Sequence, residues 1–502
     1  MKVSWAGLTA GGLSLATVGI SLWISQKIFE GIPHVEDEFA NLWQAEVMAS
    51  GRIALPSPPD PESFLVPFVV DFEGSRFGKY PPGWPAALAI GSWFDVPYWV
   101  GPILAGIAVW LTYRLGLRMA GALAGVLAAL LTALSPMMLM LSGSLMPHML
   151  SVVLTLAWML AWVDLFAPPV SGSTTRVPRR MLLLTAGLSM GLLVLTRPLS
   201  ALAVALPFTV HAAILIIRRM SNAPRELAVV VLVAVGVATL LPAWQWALTG
   251  DPWLNPYTLW WPYDRIGFGP GTGVLAEGHT LRQAWINTRL SLSAWQHDLF
   301  GWPYLSWVFL PFGLWALRRR ADAWLSLAVF AALAAGYMAY WVGSWLLGPR
   351  YFVEAVPGLA AISGAGIGWV GGWASGEVRG RRARRLGVAA AVLLLLTANA
   401  ANYLPIRVGG LRGLFGISRS ALEAFQAVDP GAAVVIVERD PYWHGYGNLL
   451  TLTPPFRESE LKLLYERGPE IDARAAALFP ELPAYRYDPG QPGRLYPAPR
   501  GD

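Results

Sequence analysis

The chain has no cysteine. That excludes disulfides, thiolate nucleophiles and cysteine-ligated zinc, and it leaves the redox compartment undetermined. Charge is scarce as well. Asp, Glu, Lys and Arg make up 14% of the 502 residues, against about a quarter in soluble domains. With 55% hydrophobic residues and a mean hydropathy of +0.47, the sequence falls in the membrane class before any segment is read. No Walker loop occurs, so the phosphate cradle of the P-loop nucleotide enzymes is absent. The net charge of +6 does not point to nucleic acid, because most Arg sits in short clusters between apolar runs, where membrane topology explains it.

What is present is apolar sequence in lengths that matter. A helix crosses a bilayer in about 20 apolar residues. Runs of this kind lie near 5–25, 98–116, 119–141, 149–167, 181–197, 198–217, 226–247, 303–317, 322–346, 351–373 and 386–404, which predicts an all-α polytopic membrane protein of about eleven spans. The first run is longer than a signal-peptide core and lacks a small-residue cleavage site, so it reads as a retained helix. The run 84–94 follows Tyr80-Pro81-Pro82 and is too short to span, and it reads as a re-entrant or interfacial helix. The 25 Trp suit bilayer interfaces.

Arginine sets the orientation. With Lys2 inside and sides alternating, the inside connections hold Arg114 and Arg118, then Arg176, Arg179 and Arg180, then Arg218, Arg219 and Arg225, then Arg318 to Arg320, and finally Arg379, Arg381, Arg382, Arg384 and Arg385. The short outside connections hold only Arg197 and Arg350. This is the positive-inside pattern, and it predicts a cytoplasmic N-terminus and an extracytoplasmic C-terminus in a bacterial inner membrane. Residues 1–404 form the membrane core, with outside loops at about 26–97 and 248–302. Residues 405–502 form a C-terminal periplasmic domain. There, Ala432 to Val437 reads as a buried strand, and Arg419 to Val428 and Glu458 to Arg467 as helices, which together predict a small α/β unit.

Ionisable residues beside a bilayer are costly and tend to be functional. The first loop opens with His34-Val35-Glu36-Asp37-Glu38, ahead of Phe39, Leu42, Trp43 and Val47 at helical spacing. This predicts a surface helix with carboxylates at its N-terminal end, where the helix dipole favours them and where Asp37 could equally serve as a cap. The loop continues through Glu73, Lys79 and Tyr80-Pro81-Pro82. Arg350 lies in Gly348-Pro349-Arg350-Tyr351 at the start of a late span. It suits either a phosphate clamp or a snorkelling anchor with Glu354 as helical partner. Arg197 precedes Pro198 at a helix start. The second loop carries Trp260-Trp261-Pro262-Tyr263-Asp264-Arg265 and Trp295-Gln296-His297-Asp298, suited to sugar stacking or to interfacial anchoring. His279, His297 and Asp298 are metal candidates without a standard spacing. In the tail, Tyr442-Trp443-His444-Gly445-Tyr446 reads as an acceptor-facing surface or a buried turn.

The acidic motif after the first helix, the Tyr-Pro-Pro segment and Gly348-Pro349-Arg350-Tyr351 together resemble the GT-C glycosyltransferase superfamily, nearest to its bacterial aminoarabinose and protein O-mannosyl transferases. The resemblance covers most of 1–405. It implies an inverting transfer from a polyprenyl-phosphate sugar to a lipid, glycan or protein acceptor, assisted by a divalent metal (Mg, Mn or Zn) or by protein cations. Asp37 takes the place of the family's first-loop carboxylate and would act as general base, with Glu38 as support or metal ligand. Arg350, Lys79 and Arg197 are the candidates for the sugar donor's phosphate. Where many members carry a second acid after the third span, this chain has Ser144-Leu145-Met146-Pro147-His148. His148, Glu73 and His297 are therefore the acceptor or metal candidates. The readings from other classes are a transporter or lipid flippase, and a non-catalytic scaffold subunit.

Overall fold

The computed structural model describes residues 4–167, 177–219, 223–373, 381–439, 443–453, 455 and 459–498. Lys2, Arg176, Arg379 and Tyr442, used in the topology and tail readings above, lie outside them, as does Glu458.

Among the described residues, eight helices are long and apolar enough to cross a membrane. A ninth span arises if Ala122–Ala133 and Pro136–Gly143, bent by 55°, are taken as one. The break falls at Ser135-Pro136, where Ser135 caps the second piece and proline cannot continue the first. The two other expected runs, 303–317 and 322–346, contain the shorter helices Leu310–Ala316 and Ala321–Tyr337. The peripheral spans keep large apolar side chains on their outer surfaces, such as Leu202, Ile217, Leu232 and Leu394. That is the surface a multi-pass membrane protein turns toward lipid.

Helix ends are tied in an orderly way. Arg118, at the end of Pro97–Ala120, donates to Asp164 at 2.7 Å and to Asp322 at 3.0 Å, and Arg320 also bonds Asp322. One buried network thus joins three helix ends that the arginine pattern assigns to one side. Gly187 and Gly191 bring Arg179–Thr196 into close contact with Ala223–Ala238, where a Cβ on either would strike Val233 or Val237. The string Gly187-Leu188-Ser189-Met190-Gly191 has the spacing of a nucleophile elbow, but it lies mid-helix rather than at a strand–helix turn.

The first loop forms the expected surface helix, Glu36–Ala49, with Glu36, Asp37 and Glu38 in its first turn. A three-stranded antiparallel sheet follows, ordered Leu55–Pro56, Ser75–Gly78, Val69–Phe72. Its hairpin turns at Glu73 and Gly74, both with positive φ. The expected short helix is present as Gly83–Ser92. The second loop contains more regular structure than its Trp, Pro and Gly content suggested, namely the 18-residue helix Leu281–Asp298.

The tail contains a four-stranded sheet ordered Leu461–Tyr465, Ala433–Val437, Ala484–Tyr487, Tyr496–Pro497. The first three strands are parallel and the last is antiparallel. The expected strand and the helix Arg419–Gln426 are present. The expected helix over 458–467 is corrected: Leu461–Tyr465 is a strand in register with Ala433–Val437. Its apolar side chains are drawn to the central strand, and tertiary pairing overrides local propensity. The tail packs on the first loop through a shared core of Ile32, Phe39, Ile417, Phe425 and Val435. Glu30 accepts from the Arg419 backbone at 2.7 Å, and Asp60 from Arg474 at 2.7 Å.

Candidate active site

The first loop is held over the helix bundle by a small set of backbone contacts. Leu145, just past the bent helix pair, is the junction. Its N–H donates to Glu38 Oε1 at 2.7 Å, and its carbonyl accepts from Trp84 Nε1 at 2.7 Å. Glu38 Oε2 accepts the His34 and Val35 amides at 2.8 and 3.2 Å. Gly83 lets the Pro81-Pro82 turn lie on the end of Arg179–Thr196, because a Cβ there would stand 2.6 Å from Thr196 Oγ1 and 2.7 Å from the Leu195 carbonyl. The surface helix and Tyr80 are thereby fixed relative to the spans.

Below this roof lies a cavity of about 580 Å³, bounded by both large loops and the ends of several spans. Its volume falls within the range of small-molecule sites. Asp37 faces it. One carboxylate oxygen accepts from the Tyr80 hydroxyl at 2.8 Å, and the other lies 4.0 Å from an Arg350 nitrogen. Arg350 Nη1 is buried with no hydrogen-bond partner among the described residues.

Lys79 also lines the cavity and is 3% exposed. Its ammonium pairs with Asp264 Oδ2 at 3.3 Å and lies 3.5 Å from the Phe68 ring centroid and 4.8 Å from that of Trp261. Tyr340 and Trp341 donate to the other Asp264 oxygen at 3.0 and 3.1 Å. Burial pushes the Lys79 pKa down, and Asp264, Asp37 and Glu36 oppose that shift. The cage keeps a lysine charge available inside an otherwise apolar wall.

Arg197 and His148 also line the cavity. Arg197 donates to Glu354 at 2.7 Å and to the Tyr337 hydroxyl at 2.9 Å. Glu354 was expected as the helical partner of Arg350, but its paired oxygen serves Arg197 instead. His148 begins the helix His148–Phe166 and is 3% exposed, and neither of its ring nitrogens has a hydrogen-bond partner among the described residues.

Of the residues singled out from sequence, Asp37, Lys79, His148, Arg197 and Arg350 come together on this cavity. Three do not. Glu38 is absent from the lining, and both its oxygens are spent on backbone amides. It is a positioning residue, and burial raises its pKa against the effect of those amides. Glu73 is exposed at the hairpin turn. His297 is hydrogen-bonded at Nδ1 to the Ser293 carbonyl at 2.8 Å and stacks edge-on with Tyr304. The metal reading of His279, His297 and Asp298 fails for a similar reason. His279 bonds the Met338 carbonyl, and Asp298 is paired with Arg407 and Tyr403. Among the described residues no group of three or more His, Asp or Glu side chains is placed to hold a metal.

Tyr80, Asp264 and Tyr337 are the site residues that motif reading passed over as chemical groups. Tyr80 and Asp264 stood inside strings noted for aromatics. Tyr337 closes an apolar helix, and nothing in the sequence marks it. Of the tryptophans proposed for sugar stacking, Trp261 lines the cavity, whereas Trp295 is fully buried in the core. In the tail, Tyr446 is buried, and Trp443 donates to Glu36 at 3.1 Å, at the cavity rim.

No family model and no curated protein matches the chain. Solved structures do. A crystal structure of ArnT from Cupriavidus metallidurans bound to undecaprenyl phosphate matches with a TM-score of 0.59 at 15% identity, over 96% of this chain and 90% of that one. The apo state of the same protein gives 0.59 at 14% identity, over 94% and 92%. The archaeal oligosaccharyltransferase AglB from Archaeoglobus fulgidus, in complex with an inhibitory peptide and a dolichol-phosphate, gives 0.49 at 13% identity, over 89% and 60%. The chain has the fold of ArnT along nearly its whole length.

Proposed function

We propose that this protein is an inverting glycosyltransferase that moves a sugar from a polyprenyl-phosphate carrier to an acceptor hydroxyl on the extracytoplasmic face of a bacterial inner membrane. The observation that carries the reading is the meeting of Asp37 with Arg350 and Tyr80 on one cavity, with Lys79 in its wall. The shared fold adds weight, because ArnT was crystallised with undecaprenyl phosphate.

In this mechanism the acceptor hydroxyl gives its proton to Asp37 as its oxygen attacks the anomeric carbon. A new carbon–oxygen bond forms while the bond from that carbon to the phosphate oxygen breaks. The electron pair leaves with the polyprenyl phosphate, and the anomeric configuration inverts. Tyr80 orients the base. Arg350 and Lys79 offset the charge that grows on the leaving phosphate, which is where fixed cations act most strongly. Arg197, paired with Glu354 and Tyr337, contributes field rather than a direct contact. The cavity's size favours catalysis over a scaffold role, since it leaves room for both substrates. The membrane core of 1–404 and the tail of 405–502 serve as one unit here, the tail steadying the first loop from outside. The N-terminus lies in the cytoplasm and the tail in the periplasm.

The test is binding and turnover with the purified chain. The wild type should bind bare undecaprenyl phosphate and release it from an undecaprenyl-phosphate sugar when membrane acceptors are added. Arg350→Ala should weaken carrier binding by tenfold or more while folding is retained. A wild type that binds no polyprenyl phosphate would remove the proposal, and an Arg350→Ala protein with unchanged affinity would return that residue to an anchoring role.

A further inference from the structure

A buried polar group without a partner costs about 1–3 kcal/mol, so several such atoms on one cavity wall call for an explanation. His148 has two, its ring nitrogens, and Arg350 has one. Glu354 Oε2 adds a fourth, just behind that wall. His148 and Arg350 belong to elements that pack on each other, the helix His148–Phe166 and the turn Arg350–Ala355. The charges that act on His148 are those of Arg197 and Arg350.

An imidazole with both nitrogens open offers one donor and one acceptor when neutral. A sugar hydroxyl needs that complement, because it also donates and accepts. A phosphate oxygen only accepts, and the Arg350 guanidinium and the Lys79 ammonium already serve that need. A lipid chain requires neither. We propose that His148 reads a hydroxyl of the sugar being transferred, and so sets which sugar the enzyme accepts. This rests on the polyprenyl-phosphate reading above. With the phosphate at Arg350, the group that reaches the neighbouring His148 is one covalently attached to that phosphate, rather than the incoming acceptor, which must approach Asp37.

The experiment compares sugar-loaded with bare carrier. Affinities of the wild type, His148→Phe and His148→Gln are measured for bare undecaprenyl phosphate and for a panel of undecaprenyl-phosphate hexoses and pentoses. The wild type should prefer at least one loaded carrier over the bare one. His148→Phe should lose roughly tenfold on that loaded carrier while its affinity for the bare carrier stays unchanged, and His148→Gln, whose amide both donates and accepts, should recover most of the loss. The bare-carrier affinity reports folding, and if the Phe variant does not fold, His148→Met replaces it in the same comparison. Equal loss on both carriers, no loss on either, or a wild type indifferent to the sugar would overturn the assignment. A wild type that binds neither carrier would instead be a failure of the donor reading itself.

Discussion

The Lys79 ammonium lies 3.3 Å from Asp264, and the two residues come from different long loops. Lys79 follows the strand Ser75–Gly78 of the first loop, and Asp264 follows the short helix Tyr257–Trp260 of the second. Their pairing closes the cavity roof and opposes the burial that pushes the lysine pKa down.

Asp264→Asn removes the largest counter-charge to that shift. The groups that still face Lys79 are the carboxylates of Asp37 and Glu36 and the rings of Phe68, Tyr80, Tyr257 and Trp261. Loss of Asp264 therefore moves the lysine pKa further down, and the cation disappears as pH rises through the new value. The affinity of the variant for undecaprenyl phosphate should fall further below that of the wild type as pH rises. Asp264→Glu should bring the profile back toward that of the wild type. A parallel pH dependence in wild type and Asp264→Asn would contradict this role.

Gly83→Ala tests the placement of Tyr80. Its new methyl would stand 2.6–2.7 Å from Thr196 Oγ1 and the Leu195 carbonyl, and backbone cannot yield easily. A cost of about 1–3 kcal/mol is expected, seen as a lower Tm in detergent, with turnover falling at least tenfold as Tyr80 shifts from Asp37. Unchanged Tm and turnover would show that the turn tolerates a side chain.

Glu46 gives a stability prediction independent of catalysis. It sits in a crevice with Phe39, Leu42, Trp43 and Leu450, and burial pushes its pKa up to about 7. A carboxyl whose folded pKa exceeds its unfolded one costs stability as pH rises between the two, and the full cost applies above the folded value. Glu46→Gln should therefore raise Tm at pH 8, by an amount equivalent to about 1 kcal/mol once partial exposure is allowed for. The gain should shrink toward pH 5. An equal gain at both pH values would point to packing rather than ionisation.

Much of this site could be read from sequence because membrane proteins advertise their ionisable groups. Asp37, Lys79, His148, Arg197 and Arg350 each stand near the end of an apolar run, where a charge is conspicuous. What pairs with what could not be read. Glu354 lies four residues from Arg350, the ordinary helical spacing, yet the segment turns as a 3-10 helix and offers the carboxylate to Arg197 on another span. Glu38 reads from sequence as a support for Asp37 or a metal ligand, and only the fold reveals that Leu145, 107 residues away, claims its carboxylate. The strand Leu461–Tyr465 was hidden for the same reason, since its identity depends on a neighbour across the sheet.

Single-turnover transfer by Asp37→Asn, measured beside its affinity for undecaprenyl phosphate, bears most directly on the whole account. The amide keeps the shape of the carboxylate and can still meet Tyr80, but it cannot take a proton from an acceptor hydroxyl. The account predicts carrier affinity within a few-fold of wild type and a transfer rate lower by roughly 10²–10⁴. Transfer at the wild-type rate would show that the proton goes elsewhere, and the mechanism built on Asp37 would be wrong.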